Sequence, residues 1–156
     1  MNAIKDYCQA LTDTLNRAFD TQADALEAAA ARLAEATLTG HNIFSFGCSH
    51  AGLLALELYY RTGGMATINP IRAAGLNLDI DPATMTSQME RLPEYGRLIV
   101  DNQPLGAGDV IIVHSVSGRN TVTVDVALRA REKGACVIAL TNMAMSRPVK
   151  MRASLI

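Results

Sequence analysis

Four residues, Val110-Ile111-Ile112-Val113, constrain this chain more than any other stretch. An unbroken β-branched run belongs to a strand covered on both faces, and such strands sit centrally in parallel sheets. The period then changes. After Ser115, Ser117 and Gly118, Val122, Val126 and Ala130 fall at helical spacing, and Gly134 follows Arg129, Arg131 and Lys133 as a stop. A helix is therefore predicted to begin near Asn120. Its unpaired N–H groups and positive dipole end point back at the loop, where the Ser115 and Ser117 hydroxyls add donors around an anion and Gly118 lets the main chain come close. The plainer alternative is a strand-to-helix turn with Asn120 as N-cap and nothing bound.

A second segment repeats the pattern. Ile43 to Phe46 reads as a short strand, Gly47-Cys48-Ser49-His50-Ala51-Gly52 as a small-residue turn, and Leu53 to Tyr60 as an apolar helix. In doubly wound sheets the carboxyl ends of parallel strands share one edge, so the two loops can face one ligand across a topological switch point. Ser49 then joins Ser115 and Ser117. A nucleotide is a poorer fit. The first loop has only Gly47 and Gly52, not G-x-G-x-x-G, the second strand ends at Asn69-Pro70 without an acidic residue for a ribose, and Gly106-Ala107-Gly108 precedes a strand.

Elsewhere the organisation is simple. Ile4, Tyr7, Cys8, Leu11, Leu15 and Phe19 define one amphipathic helix, and Asp20 to Leu38 a second, ended by Gly40. One domain, 1–156, is expected, with N-terminal helices over 1–38 and a sheet core over 41–150. Ala66-Thr67-Ile68 reads as the second strand, and Asp81-Pro82 as a helix start with Asp81 as cap and Met85, Met89 and Leu92 as its buried stripe. The 49% hydrophobic content over 156 residues suits a full core, and a net charge of −1 gives no electrostatic reason to expect nucleic acid or an anionic membrane. Cys8, Cys48 and Cys136 are odd in number and without C-x-x-C spacing, so neither a disulfide framework nor a zinc site follows, and a reducing cytoplasm is the expected setting. The first helix has no earlier partner in the chain, which points to a homodimer or higher homo-oligomer.

The G-x-S loop at Gly47, the S-x-S-G loop at Ser115 and the strand Val137-Ile138-Ala139-Leu140-Thr141 after Lys133-Gly134-Ala135 resemble the sugar isomerase (SIS) domain over about residues 20 to 150. The resemblance is closer to one bacterial branch of SIS proteins, through Glu57-Leu58-Tyr59-Tyr60-Arg61-Thr62-Gly63-Gly64, Asn69-Pro70-Ile71, Glu90-Arg91-Leu92 and Ser117-Gly118-Arg119-Asn120. It implies an α/β, three-layer sandwich with a mostly parallel, flavodoxin-like sheet. It also implies a sugar phosphate held at Ser49, Ser115, Ser117, Gly118 and Asn120 or Thr121, with no cofactor and no metal. Two departures stand out. In that branch the first loop reads G-T-G-H-S-H, which sets a glycine opposite Ser49 and a serine opposite Ala51. Relatives also continue into a fifth strand, which this chain, ending at Ile156, is expected to lack; Met151 to Ile156 is too short for a strand plus helix.

Aldose to ketose interconversion needs a base to move a proton between neighbouring carbons and an acid to serve the oxygens. Glu57 is the expected base, because it lies in the apolar run Leu53, Leu54, Leu56, Leu58, where desolvation would raise its pKa. The competing reading is a Glu57 to Arg61 pair at i, i+4. His50, inside the first loop, is the candidate acid or a further phosphate donor. His114 reads as a packed residue shaping its loop and His41 as solvent-facing. Cys48 at a helix start is a weaker nucleophile candidate. Three functions remain open: an isomerase or a lyase using the same enediolate chemistry, a non-catalytic sugar-phosphate sensor, and an inactive member that stops early.

Overall fold

The computed structural model describes residues 2–147, so residues 148–150 of the expected sheet core and the Met151–Ile156 end lie outside the described residues. The chain divides into two compact units, Met1–Ala34 and Glu35–Ile156. The first is the greater part of one helix, α1, Ala3–Leu38. Two helices were expected, yet no glycine or proline interrupts this span, so the helix runs through Asp20, with the Thr12, Thr14 and Thr21 hydroxyls donating to carbonyls one turn back. Its stripe of Ile4, Tyr7, Leu11, Leu15 and Phe19 is exposed.

The second unit is built on four parallel strands: β1 (Ile43–Gly47), β2 (Ile68–Pro70), β3 (Val110–His114) and β4 (Cys136–Leu140), in the order β2-β1-β3-β4. That is the flavodoxin-like order, with its switch point between β1 and β3. Phe44, Phe46, Ile111 and Val113 alternate onto one face and form the main core with Ile99 and Val100 of α4 (Tyr95–Asp101) and Val122, Val126 and Ala130 of α5 (Thr121–Glu132). Helix α2 (His50–Glu57) packs across β1 and β3, and its Ala55 carbonyl accepts the buried Ser45 hydroxyl at 3.1 Å. Because the chain leaves β1 toward β2 and β3 toward β4, right-handed crossovers place α2 and α5 on opposite faces. The result is a sheet flanked by helices, in three layers.

Two details of the β2–β3 connection differ from expectation. The strand begins at Ile68, not Ala66. Asp81 caps nothing: a 3-10 turn, Ala83–Met85, follows Pro82 and leads into a short α3, Thr86–Met89. Of the expected stripe only Met89 packs against the core, whereas Met85 and Leu92 are exposed and Thr86 is buried instead. Helix α4 had no counterpart in the sequence reading. It lies so close to α5 that a Cβ on Gly96 would stand 2.3 Å from the Val122 carbonyl oxygen and 2.8 Å from the Val126 nitrogen.

At the amino edge of the sheet the buried Asp109 carboxylate accepts the Asn42 and Gly106 amides, both at 2.8 Å, and its carbonyl takes the Cys136 amide at 2.8 Å. His41 is exposed, as its solvent-facing reading expects; its Nδ1 lies 3.7 Å from Asp109 Oδ1 and its ring lies over Gly108, whose φ of 87° needs a glycine.

Candidate functional site

Strands β1 and β3 pair with Gly47 opposite His114, so the two small-residue loops leave the carboxyl rim side by side. Cross-links hold them there. His114 Nδ1 lies 3.0 Å from the Ala51 carbonyl oxygen, and Cys48 Sγ lies 3.5 Å from Thr123 Oγ1. Gly47 is required, since a Cβ would meet the Ala51 carbonyl oxygen at 2.4 Å and the Gly52 nitrogen at 2.8 Å.

Ser49 sits at φ 53° and ψ −128°, a region L residues rarely enter, and is pinned by its amide to the Leu76 carbonyl at 2.7 Å. Its Oγ is buried without a hydrogen-bond partner among the described residues. An unmatched buried hydroxyl costs about 1–3 kcal/mol, and the backbone beside it adds strain. A glycine would adopt this backbone without strain.

In the second loop, Ser115 is buried and its Oγ accepts the Gly118 amide at 3.1 Å, which leaves its own proton to donate. Ser117 is half-buried. Asn120 is the N-cap of α5, yet its side chain makes no capping bond, so the amide is not spent on the turn. The expected row of open helix N–H groups is incomplete: Val122 N already donates to the Glu90 carbonyl at 3.1 Å. Thr121 lines, with Arg119, Val124 and Asp125, an open cavity of about 290 Å³. Gly118, at φ 62°, lies under the small helix α6 (Met143–Ser146), and a Cβ there would be 2.9 Å from Ser146 Oγ. Ser146 Oγ is the other buried hydroxyl without a partner among the described residues.

The rim therefore gathers Ser49, Ser115, Ser117, Gly118 and Asn120 around the β1–β3 switch point. Glu57 does not join them. It ends α2, seven residues from His50 and so about 10 Å along the axis. Its side chain is 64% exposed and pairs with Arg61, so the desolvation expected for it is absent. The reason is angular. The residues that α2 buries are Gly52 and Ala55, and at about 100° per residue Glu57 points away from Ala55 while Leu53 itself is exposed. His50 opens the helix and is exposed. Cys48 is no activated nucleophile: burial pushes its thiol up to about 11, against a lowering bond from Thr123 and with a further rise from Glu90.

The residue that sequence reasoning missed is Glu90. It is half-buried, and burial raises its pKa against the pull of Arg91. A glutamate next to an arginine at the end of a short helix looks like surface charge, and only its place in the family motif singled it out.

A doubly wound parallel sheet with serine- and glycine-rich turns meeting at its switch point defines the class: an α/β fold with a candidate anion site. More particularly, the chain belongs to the SIS domain family, whose model matches residues 6–142. It is 42% identical to a UPF0309 protein of Oceanobacillus iheyensis over 99% of this chain and 63% of that protein, and 40% identical to one of Shouchella clausii with the same coverage. The chain thus spans 63% of the length of these curated relatives. A solved phosphoheptose isomerase from Francisella tularensis has the same fold, with a TM-score of 0.60 at 18% identity, covering 94% of this chain and 79% of that one. One from Neisseria gonorrhoeae also matches at 0.60, with 19% identity, 97% of this chain and 82% of the other.

Proposed function

We propose that the chain binds a sugar phosphate at the β1–β3 rim and interconverts its aldose and ketose, or amino-sugar, forms in the cytoplasm. The observation that carries this reading is the Ser49 hydroxyl, buried without a hydrogen-bond partner among the described residues, beside the β3–α5 loop, where Ser115 retains a donor proton and Asn120 is uncommitted to its helix. Ser49, Ser115, Ser117, Gly118 and Asn120 or Thr121 would cradle the phosphate, with His50 at the mouth of the loop as acid. Membership of the SIS family and the fold shared with phosphoheptose isomerases support it. Titration calorimetry with heptose and hexose phosphates and their amino forms is the direct test. Binding by one of them is expected, and Ser117→Ala should weaken it by about 1–3 kcal/mol; no heat from any of them would refute the assignment.

A non-catalytic sensor is the second reading, favoured by the exposed, Arg61-paired state of Glu57. Solvent hydrogen exchange into a bound ketose phosphate separates the two, because a sensor binds without exchanging.

The same proposal includes self-association. Tyr7 and Phe19 of α1 are 68% and 62% exposed in a stripe that repeats every three or four residues, an arrangement suited to a second copy of the helix. Light scattering at micromolar concentration should give at least a dimer, and Leu11→Glu with Leu15→Glu should shift it to monomer. A wild-type monomer would contradict the assignment.

A further inference from the structure

The turn that follows β4 is stitched to the second loop. Leu140 stands opposite His114 in the sheet, and beyond it Ser115 N donates to the Leu140 carbonyl and Asn142 N to the Val116 carbonyl, both at 3.0 Å. Thr141 Oγ1 donates to the same Val116 carbonyl at 3.4 Å. Asn142 spends its side chain on α6, where it accepts Met145 N at 3.2 Å. These bonds carry the chain back over Gly118, so that a Cβ there would stand 2.7 Å from Thr141 Oγ1 and 2.9 Å from Ser146 Oγ. Two hydroxyls of a third turn converge on the glycine at which the second loop bends.

Ser146 is the residue that does not fit a purely structural turn. It is 1% exposed and is the residue that α6 buries, whereas Ala144 and Met145 are exposed and α6 adds nothing to the main core among the described residues. A helix docked through one small side chain is best served by a methyl. Here it presents a hydroxyl with no hydrogen-bond partner among the described residues, which works against docking. With so little apolar anchorage, α6 can lift from Gly118 without opening the core. Resting on the reading above, we propose that Ser146 is a further phosphate ligand: the anion enters the second loop with α6 lifted, and on re-docking the Ser146 hydroxyl donates to one of its oxygens. The hydroxyl is aimed at Gly118, the neighbour of Ser117, and so at the end of the ligand which that loop holds. The anion supplies the acceptor that the protein lacks at this point, so binding and the closure of α6 favour each other.

The test compares the whole chain with Ser146→Ala and Ser146→Cys, by calorimetry against ketohexose and ketoheptose phosphates and by thermal denaturation without ligand. Removing a buried hydroxyl that lacks an acceptor should raise the melting temperature of the free chain, by at least about 2 °C in Ser146→Ala. Affinity should move the other way, weakening about tenfold or more with the loss of a hydrogen bond to a charged oxygen. Ser146→Cys, whose thiol fills the space but donates poorly, should bind as weakly as the alanine variant. In the wild type, ligand should slow hydrogen exchange at the Ser146 amide, which donates to the Asn142 carbonyl at 3.0 Å. A serine that merely shapes the turn gives a lower melting temperature together with weaker binding. A melting temperature that does not rise, an affinity unchanged in Ser146→Ala, or an amide that a bound ligand does not protect overturns the role of Ser146 and leaves the sugar-phosphate reading standing. If none of the compounds binds the wild type, both fall.

Discussion

Gly96→Ala should destabilise the chain by about 3 kcal/mol, the upper range for overpacking, and lower its melting temperature by about 6–12 °C. The sign is informative, because alanine is the better helix former by about 1 kcal/mol and an exposed helix would gain from the change. Here the added methyl meets backbone on α5, the Val122 oxygen at 2.3 Å and the Val126 nitrogen at 2.8 Å, and neither can turn aside as a flexible side chain would. The two helices must separate, which opens the core formed by Ile99, Val100, Val122 and Val126. Thermal denaturation followed by circular dichroism measures the effect. A melting point unchanged within a degree would mean that α4 and α5 lie farther apart than described.

Gly47→Ala should do comparable harm, by about 2–3 kcal/mol, and should also abolish the proposed sugar-phosphate binding. A methyl at the end of β1 collides with the first turn of α2 at the Ala51 carbonyl and the Gly52 amide. That turn carries the carbonyl that His114 holds, so relief of the clash moves the first loop relative to the second. Donors displaced by about 1 Å lose most of their value around a dianion. Calorimetry on refolded protein at low temperature separates the binding defect from the stability defect. Retained affinity would show that the first loop contributes nothing to the ligand.

The two predictions concern elements of unequal legibility. Strand β3 and helix α5 were readable because each carries an unambiguous period and α5 has a glycine stop at Gly134. The first loop was readable because Gly47 and Gly52 bracket it. Helix α4 was not, since Ile99-Val100 in a seven-residue element resembles a strand fragment and its defining contact is the small Gly96 against a distant segment. The break assigned near Asp20 failed because a change from mixed to alanine-rich composition is no physical stop. Glu57 shows the commonest error: apolar neighbours in sequence were equated with apolar surroundings, although on a short helix they face different ways. Glu90 is the converse, polar in its local context and half-buried only because the β2–β3 connection folds over the rim.

The Asp109 clasp carries a consequence for how such a chain can diversify. The carboxylate secures Asn42 and Gly106 at the edge opposite the loops, tying the entry of β1 to that of β3 by bonds that involve no residue of the candidate site. Strand alignment is thereby fixed from behind. Turns at the front can change sequence while the frame that aims them stays in register.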